Sequence, residues 1–512
     1  MKGFPRTLIL CLLALLGLGT SRAATPAIKA VYLDFRTQVM TLQAMKDLAR
    51  EAADNGMNAV VVEWEATFPF EDNLTLRNRF AFSQDEVREF IDFCAKLNLE
   101  VIPLQNCFGH SEYILRHERY ANLKEDKKDR SQVCPLKIND AEAVFRSIFG
   151  EIVAMHPSRY LHIGCDETRL LGHCPACRSK AKEQGIAALY VDYVTSMCRI
   201  VSELGKVPMI WADILLKYPE ALDRLPKEVI IVDWNYGWKP DHFGKMENLE
   251  KSGHVIWGAC SLRSHPDNLY LIQWRKHLDN IFDYVAYASN HGFAGIINTS
   301  WSTSGTYGYI YDDASEVINM QPVREVYPHA GFDMLNKAYE AAISGQFHDP
   351  DSFLDAYCRN RLGLERPADI ETIQEYFNMK QQPVAAAGDL ASKTDAELAR
   401  CLELRERLQM VKFAPAARPI AAHLELMLDI RINYLKFKIL ERDTQSPEFN
   451  KDRVATLLEK LDRLTRETEK LQKRFIRLNK DFLKDPEQSY NEWTYYGKMR
   501  NLVTILRNIQ QS

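Results

Sequence analysis

Asp166 and Glu167 are neighbouring carboxylates that close the apolar run YLHIGC (160–165) and stand just before a turn. Side chains of successive strand residues alternate between faces, so both acids reach one substrate only if the backbone turns past the last paired residue. Their mutual repulsion predicts that one carboxyl is pushed upward in pKa and keeps a proton for acid catalysis. Similar apolar runs close on Asp34, on Glu63 and Glu65, on Asn106 and His110, on Trp211 and Asp213, on Trp234 and Tyr236, on Trp257 and on Trp301. Four of the eight tryptophans stand at such ends, which weakens a reading of simple core packing. Acids that bond hydroxyls, beside aromatic faces that stack on C–H surfaces, suit a carbohydrate.

These residues need a frame that gathers strand ends. Eight short apolar runs recur between residues 28 and 305: AVYLDF (30–35), AVVVEW (59–64), EVIPLQN (100–106), YLHIGCDE (160–167), VPMIWAD (207–213), VIIVDW (229–234), HVIWGAC (254–260) and GIINTSW (295–301). Amphipathic stretches separate them. One opens at Thr41 with Leu42, Met45 and Leu48 and stops at Gly56; another opens with a capping-box pattern at Ser83 and Glu86. Apolar strands alternating with helices predict a parallel sheet covered on its outer face. Eight such units predict an α/β fold, a (β/α)8 TIM barrel over 24–345, with its chemistry at the C-terminal strand ends. A doubly wound open sheet is the competing fold, but no glycine-rich phosphate loop follows the first strand.

Beyond residue 346 the strand signal stops, and a C-terminal α-helical region is predicted over 346–512. Helical spacing runs from Asp395 to Leu440, and Val454, Leu457, Leu458, Leu461, Leu464, Leu471, Phe475 and Leu478 make a second apolar stripe. Its opposite face of Lys, Arg and Glu reads as a solvated helix surface. Two or three antiparallel helices are expected, with this region as the candidate surface for a homodimer.

At the start of the chain, Lys2 and Arg6 precede an apolar run from Leu8 to Leu18, then small residues up to Ala23. That order predicts a signal peptide over 1–23 and an exported, periplasmic or secreted protein. The run is shorter than the ~20 residues of a membrane span, and no span is expected in the mature chain. Without residues 1–23 the formal charge moves from -4 to -7. A mildly acidic chain lacking a basic run argues against nucleic acid as a partner. Cysteines such as Cys94, Cys198 and Cys260 sit in apolar surroundings and read as buried thiols. His173, Cys174 and Cys177 in HCPAC, with Cys134 nearby, carry zinc-ligand chemistry, but a tetrahedral site usually takes a second ligand pair. A disulfide or two loop thiols is the favoured reading there, with no metal and no cofactor expected.

HIGCDE resembles the His-x-Gly-x-Asp-Glu signature of glycoside hydrolase family 20, the β-N-acetylhexosaminidases, on the fourth strand. QNCFGHSEYILRH resembles that family's Gly-His element, which carries His110. VVVEWEATFPFED and VDWNYG are looser matches, closer to the short, hexosaminidase D-like branch. The resemblance implies a retaining hydrolysis of N-acetylhexosamine-containing glycans in which the substrate's 2-acetamido oxygen attacks the anomeric carbon. It implies that Asp166 orients the acetamido group and that Glu167 protonates the leaving oxygen and then activates water. Tyr236 would bond the acetamido oxygen, and Trp211, Trp234 and Trp301 would wall its pocket. His110, with Glu65, would set the protonation of Glu167, while Asp34 and Asp213 complete the binding set. Two features depart from the family pattern. The first strand lacks the family's arginine, leaving Lys29 or Arg36 as substitutes, and the eighth ends Trp301-Ser302 rather than Trp-Glu.

Two other readings compete. One is a two-carboxylate retaining glycosidase, with Glu63 or Asp213 as nucleophile opposite Glu167. The other is a sugar-binding barrel without catalysis.

Overall fold

The computed structural model describes residues 26–36, 39–264, 271–301, 332–380, 391–487 and 494–512. The predicted signal peptide therefore lies outside the described residues, as does Ser302. All eight expected strands form: β1 Ile28–Asp34, β2 Ala59–Glu63, β3 Glu100–Leu104, β4 Tyr160–His162, β5 Val207–Trp211, β6 Ile230–Trp234, β7 Ile256–Arg263 and β8 Gly295–Ser300. They pair in parallel and in chain order, and β8 returns to β1 to close the barrel. Closure removes the open-sheet reading.

Strand periodicity divides the core in two. Ala30, Tyr32, Ala59, Val61, Ile102, Leu104, Met209, Val232 and Ala259 fill the barrel interior. Their alternates Val31, Leu33, Val60 and Val62 belong to the layer beneath the surrounding helices. Continued upward by twos, the interior rows arrive at Asp34, Glu63, Asn106, Asp166, Asp213 and Tyr236. The packing that fills the barrel thus also aims the polar residues into its mouth.

The helices start where their sequences say. The Thr41 side chain accepts the Ala44 N–H at the head of the Leu42–Asp54 helix. Ser83 and Glu86 complete a reciprocal capping box before Gln84–Lys96. Trp257 corrects the reading of strand ends. It lies low in β7, opposite Gly295, and packs on Tyr160 with ring centroids 5.4 Å apart. A Cβ on Gly295 would meet its indole at 2.4 Å, so this tryptophan is barrel filling.

The C-terminal region is helical as expected but has more pieces. Besides Asp333–Ser344, it holds Pro350–Ala356, Pro367–Asn378, Ala391–Gln409, Arg418–Gln445, Lys451–Asn479 and Thr494–Gln511. The helical spacing expected from Asp395 to Leu440 is shared by two of these helices, separated between 410 and 417, where Pro415 opens a short turn. The stripe on Lys451–Asn479 packs with Phe437, Tyr495, Met499 and Leu506 in a second apolar core. That stripe is thus spent within the chain. No helix among the described residues is long and apolar enough to cross a membrane.

Arg431 and Glu397 form an ion pair wholly buried between two of these helices. Removing one member of such a pair leaves an uncompensated charge and costs about 3–5 kcal/mol. Arg431→Met is expected to lose about that much in urea unfolding, and the double change Arg431→Met/Glu397→Leu to recover more than half of it. Equal losses in the two variants would refute this account.

Candidate active site

The fourth strand ends at His162, its last backbone bonds to β5 come from Ile163 and Gly164, and the chain then turns sharply. Gly164, Cys165 and Glu167 all adopt left-handed backbone, with φ of 70°, 74° and 45°. Five described non-glycine residues have positive φ, and four of them, Glu65, His110, Cys165 and Glu167, surround the barrel mouth. Such conformations cost of order 1–3 kcal/mol each and persist only where the surroundings enforce them. Two glycines make the turn feasible. A Cβ at Gly164 would lie 2.0 Å from Asn106 Oδ1, and one at Gly109 would lie 2.2 Å from the Asp166 carbonyl oxygen. His162 sits below, its ring 4.3 Å from that of Trp211, and its Nδ1 accepts the Gly164 N–H at 3.1 Å. Burial lowers its pKa to about 3, so it stays neutral and keeps that acceptor.

This turn brings the adjacent acids to one partner. His110 Nε2 lies 3.3 Å from Asp166 Oδ2 and 3.3 Å from Glu167 Oε2. Burial opposes charge on His110, but the Asp166 charge and hydrogen bonds to both acids hold its pKa well above the ordinary value. Burial by itself would raise the Glu167 carboxyl. His110 and Arg169, whose Nη2 donates to Glu167 Oε1 at 2.9 Å, instead bring it down to about 2. This corrects the expectation drawn from repulsion: the resting proton belongs to His110 and not to Glu167. The raised carboxyl is Asp213, pushed to about 8 by burial and by the Asp166 charge. Its Oδ2 accepts the Glu167 N–H at 3.0 Å.

A second polar group occupies the β1–β2 side. Arg36 donates to Asp34 through Nε at 3.0 Å and Nη2 at 2.9 Å, and Nη2 lies 3.5 Å from Glu63 Oε2. Glu63 also accepts bonds from Tyr32 and, at 2.6 Å, from Asn106 Nδ2. Burial raises it, Arg36 lowers it and Asp34 raises it, for a balance at about 7. Glu65 stands with this group. Burial and the charge of Glu63 raise its pKa, and neither His110 nor Glu167 is among the main influences on it. The expectation that Glu65 helps His110 set the protonation of Glu167 is thus not supported by its surroundings. Lys29 lies near the start of β1, ~16 Å below Asp34 at ~3.3 Å per residue. Arg36, and not Lys29, is the β1-side cation at the mouth.

An aromatic wall joins the two groups. Trp301 lies 4.9 Å from Tyr32, 5.7 Å from Trp211 and 6.4 Å from Tyr236 between ring centroids, and the Arg36 guanidinium carbon lies 5.4 Å from its ring. Its Nε1 donates to the Tyr236 hydroxyl at 2.7 Å. Trp234 stands 5.1 Å from Tyr236 and 5.6 Å from Trp238. Trp238 and Arg169 were missed in the sequence. The spacing WNYGW was the available signal for the first, and the second, exposed and two residues past Glu167, offered none. Asp213 and the Trp234 indole face each other, whereas Asp166 Oδ1 is a buried acceptor with no hydrogen-bond partner. Buried groups left this way call for a partner from outside the chain.

The His110 bridge makes a signed pH prediction. His110, with a raised folded pKa, contributes stability that is fully present below its unfolded value of about 6.5 and is lost as pH rises through the folded value. Glu167, held near 2, contributes stability present above its unfolded value of about 4.3 and lost as pH falls. The stability difference between wild type and His110→Gln is therefore expected to be largest between about pH 4.3 and 6.5. Thermal unfolding across pH 3–9 checks this, and a difference flat with pH would contradict it.

Comparison with known proteins adds independent findings. The catalytic-domain profile of glycosyl hydrolase family 20 matches residues 35–276. Hexosaminidase D of Bos taurus is 30% identical over 330 residues, 60% of this chain and 89% of that protein. Hexosaminidase D of Homo sapiens is 26% identical over 366 residues, 68% of this chain and 71% of that protein. Among solved structures, a β-N-acetylhexosaminidase from Bacteroides fragilis aligns with a TM-score of 0.44 at 21% identity, covering 55% of this chain and 61% of that one. Most of a 30%-identical relative is spanned by a chain that also matches the family profile; the protein belongs to glycosyl hydrolase family 20 and is a glycoside hydrolase.

Proposed function

We propose that the protein is an exo-acting β-N-acetylhexosaminidase that releases terminal GlcNAc or GalNAc from glycans with retention, using the substrate's own 2-acetamido oxygen as nucleophile. The observation that carries this reading is the division of labour on Asp166. Its Oδ2 is held by His110, while Oδ1 is a buried acceptor with no partner. An acetamido N–H is a group of the right polarity for that oxygen. The bond would orient the acetamido group and stabilise the positive charge that develops on it. The carboxylates that a protein-nucleophile mechanism needs are otherwise engaged. Both Glu63 oxygens accept hydrogen bonds, and Asp213 accepts the Glu167 N–H, faces the Trp234 indole and, pushed up to about 8 by burial and the Asp166 charge, keeps its proton at neutral pH.

Glu167 serves as acid and then base. In the resting site its proton is stored on His110, one hydrogen bond away. A sugar that displaces the exposed Arg169 removes one cation from Glu167 and buries its carboxyl further. Both changes raise its pKa, and the His110 proton can then pass to Glu167 and on to the leaving oxygen. After departure the same carboxylate activates water. The Tyr236 hydroxyl, fixed by Trp301, bonds the acetamido oxygen; Trp211, Trp234 and Trp301 enclose its methyl group. Asp34, Arg36 and Glu65 face the hydroxyl side of the sugar. Export through the leader at 1–23 belongs to this reading and rests on the order of Lys2, Arg6 and the apolar run.

Aryl β-GlcNAc, β-GalNAc and β-glucoside substrates test the mechanism. Glu167→Gln is expected to lose about 10²–10⁴-fold in kcat where the leaving group is poor, and less where it is good. Asp166→Asn is expected to lose about 10²–10³-fold toward the acetamido substrates. The β-glucoside should be nearly inert. Its hydrolysis at a rate like that of the acetamido sugars, or full activity in Glu167→Gln, would refute the proposal.

A further inference from the structure

Just beyond the catalytic turn, three cysteines and one acid converge. The sulfurs of Cys134, Cys174 and Cys177 and a carboxylate oxygen of Glu125 all lie within 4.8 Å of one another. Cys134 Sγ is 3.9 Å from Cys174 Sγ and 3.5 Å from Cys177 Sγ, and Cys177 Sγ is 3.3 Å from Glu125 Oε2. Tetrahedral zinc, with Zn–S near 2.3 Å and Zn–O near 2.0 Å, sets S···S at roughly 3.8 Å and S···O at roughly 3.5 Å. The spacing is that of four ligands around one centre. A disulfide brings two sulfurs to about 2.05 Å and leaves the third sulfur and the acid without a role.

The surroundings favour a metal as well. Cys134, Cys177 and Glu125 are buried, with Leu136, Leu171, Ile186 and Leu189 around the sulfurs. No basic side chain is ion-paired with Glu125 among the described residues, and a buried carboxylate without a cation is costly. Cys174 caps the Pro175–Gln184 helix, its sulfur accepting the Cys177 N–H at 3.4 Å, so both thiolates gain from the helix N-terminus. His173, the expected neighbour in the motif, turns away to Asp126 at 2.9 Å. Glu125 replaces it, and its other oxygen accepts the Cys174 N–H at 2.7 Å.

We propose that Cys134, Cys174, Cys177 and Glu125 bind one zinc ion in a closed, structural site that locks together the two loops carrying His110 and Glu167. Four protein ligands leave no open position for chemistry. Cys134 follows Val133, whose N–H bonds the Phe108 carbonyl, and Ser131, whose carbonyl accepts the Ser111 N–H. Both bonds flank Gly109 and His110. Cys174 and Cys177 follow the turn of Asp166 and Glu167, where the Leu170 N–H bonds Gln132 Oε1 at 2.8 Å. Coordination deprotonates the three thiols, and the released protons pass to solvent.

Elemental analysis of the full-length protein, purified reduced and without chelator, is the test. About one zinc per chain is expected, falling below about a tenth in Cys134→Ser/Cys177→Ser and unchanged in His173→Ala. Cobalt replacement in the wild-type chain is independent of whether the double variant folds. It should give the thiolate-to-cobalt charge-transfer band of a tetrahedral thiolate site. Chelation of the wild type should lower Tm and weaken activity together. Less than about a tenth of an equivalent after incubation with zinc and desalting would overturn the proposal. So would a disulfide between any two of these cysteines in protein isolated without reductant.

Discussion

The site depends on one interaction: a single imidazole nitrogen shared between two adjacent carboxylates. Asp166 and Glu167 are neighbours in sequence, and their charges would repel strongly in a partly buried mouth. His110 offsets that repulsion from 3.3 Å on each side. The bridge requires the backbone to leave extended geometry at once, which explains left-handed residues at His110, Cys165 and Glu167. It also explains the two glycines. Gly164 lets Asn106 approach the turn, and Gly109 lets the His110 loop lie on the Asp166 carbonyl. A closed barrel with a filled interior is stiff enough to hold these strained residues in place.

Around that bridge the charges fall into two groups with different tasks. The first, His110 with Asp166, Glu167 and Asp213, holds a proton on His110 between two carboxylates. The second, Asp34 with Arg36, Glu63 and Glu65, is a buried network joined to the first through the Trp301 wall. Arg36 takes part in it as the cation just after β1, whereas Lys29 lies at the far end of that strand.

The barrel was legible because strands, caps and turns are local. Every apolar run became a strand, and Thr41 and Ser83 capped the helices they were expected to cap. The adjacency of Asp166 and Glu167 was legible too, but the location of the proton was not. Repulsion between neighbours is visible in a sequence; the nearer cation, arriving from the loop after β3, is not. The place of Glu65 beside Arg36 and Asp34 was hidden for the same reason, since those two come from another strand. Trp257 shows that a tryptophan near the end of an apolar run says little about height within a barrel. Glu125 carried no signal, because Cys174 and Cys177, two of its three cysteine neighbours, lie on another loop.

The central claim is that the nucleophile belongs to the substrate and that Asp166 holds it in place. Its most direct measurement is kcat/KM for a series of aryl β-glucosaminides whose N-acyl group carries zero, one, two or three fluorine atoms. Each fluorine withdraws electrons from the amide oxygen without altering the leaving group. The account predicts a steep fall along the series, with the trifluoroacetyl compound nearly inert. A rate that does not change with fluorine content would place the nucleophile on the protein or on water and contradict it.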